Sequence, residues 1–184
     1  MRGGITVSRN NIYRYYVEGE GDKKIIDVLK KDFKFIQHGK VEVFNVTQEH
    51  FSNMRARGIK SNTIVILVYD TDRGSEGEPC LKWNIEYLES KKNVKKVVCI
   101  PQVENLEDEL VRACQIKEVK ELTRSKTNTN YKSDLLKCNN LPARLEMCKF
   151  DFKKFWNKLP KNAFKKHGNK SNEIKLKKRN HSNE

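Results

Sequence analysis

Residues 63–69 read TIVILVY, an unbroken apolar run rich in β-branched side chains. A strand with one wet face alternates apolar and polar residues. A run without alternation suits a strand covered on both faces, which is the central position of a parallel sheet. The stretches around it agree. The run 13–17 (YRYYV) is short and β-prone, and 41–46 (VEVFNV) alternates as a strand does. Residues 97–100 (VVCI) form another buried strand, ended by Pro101. Between these runs the period changes. Ile25, Ile26, Leu29 and Phe33 recur three to four apart, which predicts a helix over 22–33. Residues 48–57 predict a short helix with Thr47 as its N-cap. Leu81, Ile85 and Leu88 place a helix over 80–90, and Val103, Leu106, Leu110 and Cys114 mark one more. Strand and helix alternate four times, so the expected class is α/β, with a mostly parallel four-stranded sheet flanked by helices in a Rossmann-like arrangement.

Beyond residue 115 no strand is evident. Helical pieces are predicted at 115–122, 130–137 and 142–158. Residues 161–184 hold few apolar side chains and many Lys, Asn and Ser, and are expected to be flexible or to order only on binding. The chain is thus divided into an α/β domain at 1–115, a helical extension at 116–160 and a basic tail at 161–184. A chain of 184 residues can bury a core of its own without disulfides or metal staples.

Charge gives the first functional hint. The net charge is +14, and residues 151–184 carry eleven Lys/Arg against three Asp/Glu. Nucleic acid is the commonest partner of such a chain, and a solvated basic tail is the plain alternative. The five cysteines are scattered without a CxxC pair, and the four histidines lie at no ligand spacing from them, which argues against zinc and for reduced, partly buried thiols. No apolar run approaches the ~20 residues of a membrane span, and MRGGITVSRN lacks the apolar core of a signal peptide, so a cytoplasmic protein without a membrane partner is expected.

In a parallel sheet, ligands bind beyond the carboxyl ends of the strands. Three of the four predicted strands deliver carboxylates there. The first is followed by Glu18-Gly19-Glu20-Gly21-Asp22, the central one by Asp70-Thr71-Asp72-Arg73-Gly74, and the fourth by Gln102-Val103-Glu104, with Glu107, Asp108 and Glu109 next. Alternate residues of an extended chain point the same way, so Asp70 and Asp72 could face one cation, with Glu18 completing the site. Oxygen-only donors favour Mg²⁺ or Mn²⁺ over zinc. Gly19 and Gly21 would allow a tight turn and a close approach to phosphate. Asp and Gly also suit strand-end turns and helix caps, which is the other reading of this edge. GEGD is neither a P-loop, since no Lys-Ser/Thr follows, nor a dinucleotide fingerprint, since Lys24 replaces a required glycine.

VEGEGD at 17–22 before an amphipathic helix, and YDTDRG at 69–74 after a buried strand, resemble the two acidic motifs of the Toprim domain. The resemblance covers roughly 11–115, and small OLD-like or abortive-infection Toprim nucleases are the nearest type. It implies Glu18 as the glutamate of acid–base work or metal binding, Asp70 and Asp72 as metal-binding aspartates, and Asp22 as the acidic residue closing the first motif. IPQVENLEDEL resembles the segment in which OLD-like enzymes place a further glutamate, with Glu104 the first candidate and Glu107 the second. TRSKTNTNYKSD lies where such enzymes often carry a lysine, which points to Lys126, with Lys132 and Arg73 as other basic candidates. No Walker A motif is present, so the ATPase of OLD enzymes would come from a partner protein or be missing. A homo-oligomer is also compatible. No topoisomerase tyrosine is evident, since Tyr13, Tyr15 and Tyr16 lie within a strand and suit packing. The zinc module of primases is absent. The length fits a ribosomal-RNA maturase, but VEVFNVTQ lacks the threonine-asparagine-glycine found there.

The implied chemistry is phosphodiester hydrolysis of RNA or DNA in an antiphage or mobile-element setting. One metal would sit on Glu18, Asp70 and Asp72, and a second near Asp72 and Glu104 or Glu107. A noncatalytic nucleic-acid-binding or partner subunit, a maturase and a primase-like enzyme are the alternatives. Phe152, Phe155 and Trp156 could stack on bases, but FDFKKFW suits an apolar helix face better.

Overall fold

The computed structural model describes residues 11–176. Four strands, β1 (Ile12–Val17), β2 (Lys40–Val43), β3 (Thr63–Asp70) and β4 (Val94–Gln102), form one sheet in the order β2-β1-β3-β4. Every pairing is parallel. Helices α1 (Glu20–Lys31), α2 (Asn53–Arg57), α3 (Glu78–Glu89) and α4 (Leu106–Ala113) connect and follow the strands. Three more, α5 (Lys120–Thr123), α6 (Asn128–Lys137) and α7 (Leu141–Met147), precede two short 3₁₀ turns at Ala163–His167 and Ser171–Glu173. The fold is α/β, with an all-parallel four-stranded sheet flanked by helices, as the strand and helix periods require.

The alternation hidden in TIVILVY emerges as two cores. Ile66 and Val68 join Ile25, Leu29, Leu110 and Leu135 on one face of the sheet. Val65, Leu67 and Tyr69 join Leu81, Leu88 and Phe164 on the other. Each such side chain removed from water contributes roughly 1.5–3 kcal/mol, and coverage of both faces is why β3 shows no polar residue from 64 to 68. β4 continues through Pro101 to Gln102 rather than ending at the proline. It is the last strand in the sheet order, where a missing N–H does least harm.

Four segments differ from expectation. The helix expected over 115–122 is confined to α5, Lys120–Thr123, with turns before it. Residues 48–57 do not form one helix capped by Thr47. α2 starts at Asn53, and the Ser52 hydroxyl caps it by accepting from the Arg55 N–H. The reason lies far away in sequence. Asn84 of α3 is 0% exposed, and its amide donates to the Val46 and Glu49 carbonyls at 2.8 Å while its oxygen accepts from the Phe51 N–H at 2.8 Å. These bonds hold 46–51 in a turn.

The helix expected over 142–158 stops at Met147. Lys149 takes a left-handed φ of 54°, and the Phe150 N–H bonds back to the Leu145 carbonyl. The break lets Phe155 and Trp156 enter the core separately.

Residues 161–176 are packed rather than loose. Phe164 lies against Tyr69 with ring centroids 5.5 Å apart, Ile174 is buried, and Lys175 bridges to Ile36. The Lys170 N–H reaches the Cys99 carbonyl and so covers part of the β4 edge. Two well-placed apolar side chains outweigh the surrounding lysines. Residues 177–184 of the expected tail, and the N-terminal stretch 1–10, lie outside the described residues. Among the described residues all five cysteines are free, and no helix is long and apolar enough to cross a membrane.

Candidate active site

The carboxyl ends of β1 and β3 lie side by side, and each delivers an acid. Glu18 follows β1 directly, and its Oε2 accepts from the Asp70 backbone N–H at 3.3 Å, joining the two strand ends. α1 starts immediately afterwards. Asp22 in its first turn accepts from the Gly19 N–H at 3.1 Å, which caps the helix and aims the carboxylate back at the strand ends. Gly19 has an extended backbone that any residue adopts, with φ −143°, so no tight turn depends on it. Gly21 sits under helices instead: a Cβ there would lie 3.4 Å from Leu135 and 3.6 Å from Leu106.

Glu18, Glu20, Asp22, Asp70 and Glu107 line one cavity of about 260 Å³, roofed by Tyr131 and Lys132 of α6. Glu20 is the exposed member and pairs with Lys23. Asp22 is buried and Asp70 and Glu107 are half-buried. The Oδ1 atoms of Asp22 and Asp70 are buried and have no hydrogen-bond partner among the described residues, and neither has the Tyr131 hydroxyl. Gln102 pairs in register with Asp70, and among the described residues its buried Oε1 has no partner. Five carboxyl groups and several orphaned polar atoms therefore lie close together.

The electrostatics follow from that crowding. Burial first, and then Glu18, Asp22, Asp72 and Glu107, push the Asp70 carboxyl up to about 9. Burial likewise raises Asp22 to about 6, against the lowering effect of the nearby Gln102 and of the bond from the Gly19 N–H. Lys132 stands 3.3 Å from Glu107, whose charge raises the lysine's pKa, with smaller contributions from Asp70 and Asp22. Burial raises Tyr131 as well, and Glu107 and Asp22 add to it. A positive charge in the cavity would reverse the shifts of the two aspartates by favouring their ionised forms.

The donor set is all oxygen and contains two buried, unpartnered carboxylate atoms, which fits a hard divalent cation such as Mg²⁺ or Mn²⁺. Among the described residues no group of three or more His, Cys, Asp or Glu converges on a single point as it stands. The acids line a cavity rather than a finished coordination sphere.

The residues expected here separate into two sets. Glu18, Asp22, Asp70 and Glu107 come together. Asp72 does not: it is exposed on the turn after β3, outside the cavity lining, and acts on Asp70 through its charge. The chain leaves extended geometry at Asp70, so the alternation that would align 70 with 72 ends there. Glu104 also falls outside. It is exposed with a left-handed φ of 67°, and its backbone clasps Thr71 instead. The Thr71 N–H donates to the Glu104 carbonyl at 2.8 Å, and the Glu104 N–H donates to the Thr71 hydroxyl at 3.2 Å. Lys126 is exposed before α6 and does not line the cavity, whereas Lys132 does. Tyr131 was missed altogether. Its signal is the four-residue spacing to Leu135, which sets the inner face of α6.

Glu109 is a carboxylate of another kind. It is 0% exposed and accepts from the Val103 N–H at 3.0 Å, the Trp156 N–H at 2.9 Å and Arg112 at 2.5 Å. It ties the loop after β4 to the C-terminal segment. Phe155 and Trp156 are buried, as packing residues should be.

Comparison with family models, with curated proteins and with solved structures returns no match to this chain.

Proposed function

We propose that this protein is a divalent-metal-dependent nuclease that hydrolyses phosphodiester bonds, with Glu18, Asp22, Asp70 and Glu107 as its acidic site. The observation that carries the proposal is the pair of buried, unpartnered oxygens on Asp22 and Asp70 in a cavity shared with three further acids, of which Glu20 pairs with Lys23. Acids crowded at a strand edge are costly without a cation, and a chain of net charge +14 is suited to a polyanionic substrate. The Toprim-like order of VEGEGD and YDTDRG supports the same reading, and with it the small OLD-like nucleases as the nearest type.

When bound, Mg²⁺ or Mn²⁺ would supply Lewis-acid polarisation of a phosphoryl oxygen and a more acidic water. Asp70, Asp22 and Glu18 would hold the ion, with Glu107 at the cavity's far wall. Glu18 also fixes the relative position of the β1 and β3 ends through its bond to the Asp70 N–H. Lys132, at the mouth, would complement the charge that develops on the phosphate. The Tyr131 hydroxyl would donate a hydrogen bond within the cavity.

The test is cleavage of labelled tRNA, single-stranded DNA and plasmid with Mg²⁺ or Mn²⁺, set beside Asp70→Asn and Glu18→Gln. Metal-dependent cleavage by the wild type, lost in both variants, supports the proposal. Equal cleavage by all three proteins overturns it. One observation favours a second reading, a binding subunit without catalysis: no three acids converge on a point among the described residues. That reading predicts nucleic-acid binding that survives chelator and Asp70→Asn, with no cleavage under any metal.

A further inference from the structure

A second, larger cavity of about 580 Å³ adjoins the first and is basic where the first is acidic. Residues adjacent in sequence divide between the two. Asp70 lines one and Thr71 the other; Leu106 and Glu107 line one, and Val103 and Glu104 the other. The ridge between them is therefore the paired loops after β3 and β4, clasped by the Thr71–Glu104 backbone bonds. The far wall of the second cavity is the segment 158–162, with Arg112 beside it.

That wall is built in place. The Asn169 amide donates to the Lys158 carbonyl at 3.0 Å and the Trp156 carbonyl at 2.9 Å, and the Asn162 amide donates to the Thr71 carbonyl at 2.9 Å. Pro160 between these anchors is buried. Lys158 and Lys161 are exposed, and neither forms an ion pair among the described residues. Arg112 is held by Glu109, yet its Nε is buried and without a partner. Glu109 balances Arg112, so the two lysines without an ion pair face one acid in the lining, Glu104. Leu159, 55% exposed, gives the rim an apolar edge.

We propose that this second cavity binds the phosphate backbone of a single-stranded nucleic acid whose neighbouring phosphate lies at the acidic cavity. The anchored backbone spares the cost of ordering a loop when these lysines meet phosphate, and phosphate contacts of this kind read no sequence. The apolar Leu159 side chain offers a surface for a sugar or base that an acidic protein partner would not need. The location of the scissile bond rests on the nuclease reading above. Binding to the basic cavity does not.

The experiment measures fluorescence anisotropy of a labelled oligonucleotide of about 12 nucleotides, titrated in chelator across a salt series. It compares wild type, Lys158→Ala/Lys161→Ala, and a charge-matched control, Lys91→Ala/Lys92→Ala, in the turn entering β4 at the opposite end of the strands. The cavity variant is expected to bind about tenfold more weakly, with a log–log salt slope shallower by roughly 1.4. The control is expected to stay within about twofold of wild type. Wild-type affinity and slope in the cavity variant overturn the proposal, as do equal losses in both variants or no binding by the wild type. Poly-glutamate competing as well as the oligonucleotide at equal charge overturns it in favour of an acidic protein partner. Because no metal is present, loss of binding in the cavity variant supports the surface even where the cleavage assay finds no nuclease.

Discussion

The regions around two buried carboxylates of this fold, Glu109 and Asp70, have opposite characters. Glu109, on the inner side of α4, is fully enclosed and accepts from two backbone N–H groups and one guanidinium. Asp70, at the end of β3, is also largely removed from water, yet one of its oxygens has no partner and its electrostatic neighbours are acids. Protein interiors seldom leave a buried polar atom unpaired. Where every bond is made, the carboxylate serves the architecture. Where bonds are left open among like charges, the chain holds a charge that something else must balance.

Breaking the first region should have the largest effect on stability. Glu109→Ala would strand the Arg112 charge and orphan the Val103 and Trp156 N–H groups. Removing one partner of a buried pair costs about 3–5 kcal/mol. For a chain of this size that lowers the melting temperature by roughly 6–20 °C. Thermal denaturation followed by circular dichroism checks it, and a shift under about 2 °C would mean that the clasp is not structural.

The second region should respond in the opposite direction. Asp70→Asn is expected to reduce metal-dependent cleavage by about 10²-fold or more, read as initial rates on the labelled substrates. In chelator the same variant should be more stable than wild type by about 2 kcal/mol near pH 8, after allowance for relaxation around the buried acid. The sign follows from the raised carboxyl. With its folded pKa pushed up to about 9, Asp70 holds its proton after the unfolded chain has released its own. Metal-free stability therefore falls as the pH rises from about 4 towards 9. Asp22, raised to about 6, contributes to the lower part of that window only. Asp70→Asn should flatten the curve above pH 6, and urea denaturation at pH 5, 7 and 9 would measure it. Adding Mg²⁺ should stabilise wild type and leave the variant nearly unchanged.

The same contrast explains how far the residues could be read in advance. Parallel strands covered on both faces produce apolar runs, so 63–69 and 97–100 announced themselves. Their carboxyl ends follow from the fold class, which brought Glu18, Asp22 and Asp70 into view together. Asp72 was placed by extending strand geometry past the point where the backbone turns, Glu104 by the resemblance of IPQVENLEDEL, and the left-handed Glu104 lies beyond any periodicity argument. The start of α2 depends on Asn84, more than thirty residues away, and no local pattern carries that. The order in 161–176 depends on Phe164 and Ile174, two apolar side chains among many lysines whose partners lie on β3 and beside Ile36. Lys132 rather than Lys126 reaches the acids because α6 packs on α1 through Leu135 over Gly21, a tertiary fact with only a faint trace in the spacing of Tyr131 and Leu135.

That last distinction yields the smallest of the expected effects. Lys132 is exposed on most of its surface, and its pairing with Glu107 is an exposed one, worth little to the fold. Lys132→Ala should therefore change stability by no more than about 0.5 kcal/mol. Its charge faces the same cavity as Asp70 and Asp22, where a phosphate would lie, so cleavage should fall about tenfold, mainly in kcat. Lys126→Ala removes an equal charge outside the cavity lining and should stay within about twofold of wild type. Parallel kinetics on the two variants decide between them. Equal losses would mean that only the overall basic field matters, and a loss confined to Lys126→Ala would mean that the loop before α6, rather than the helix itself, closes over the acids during turnover.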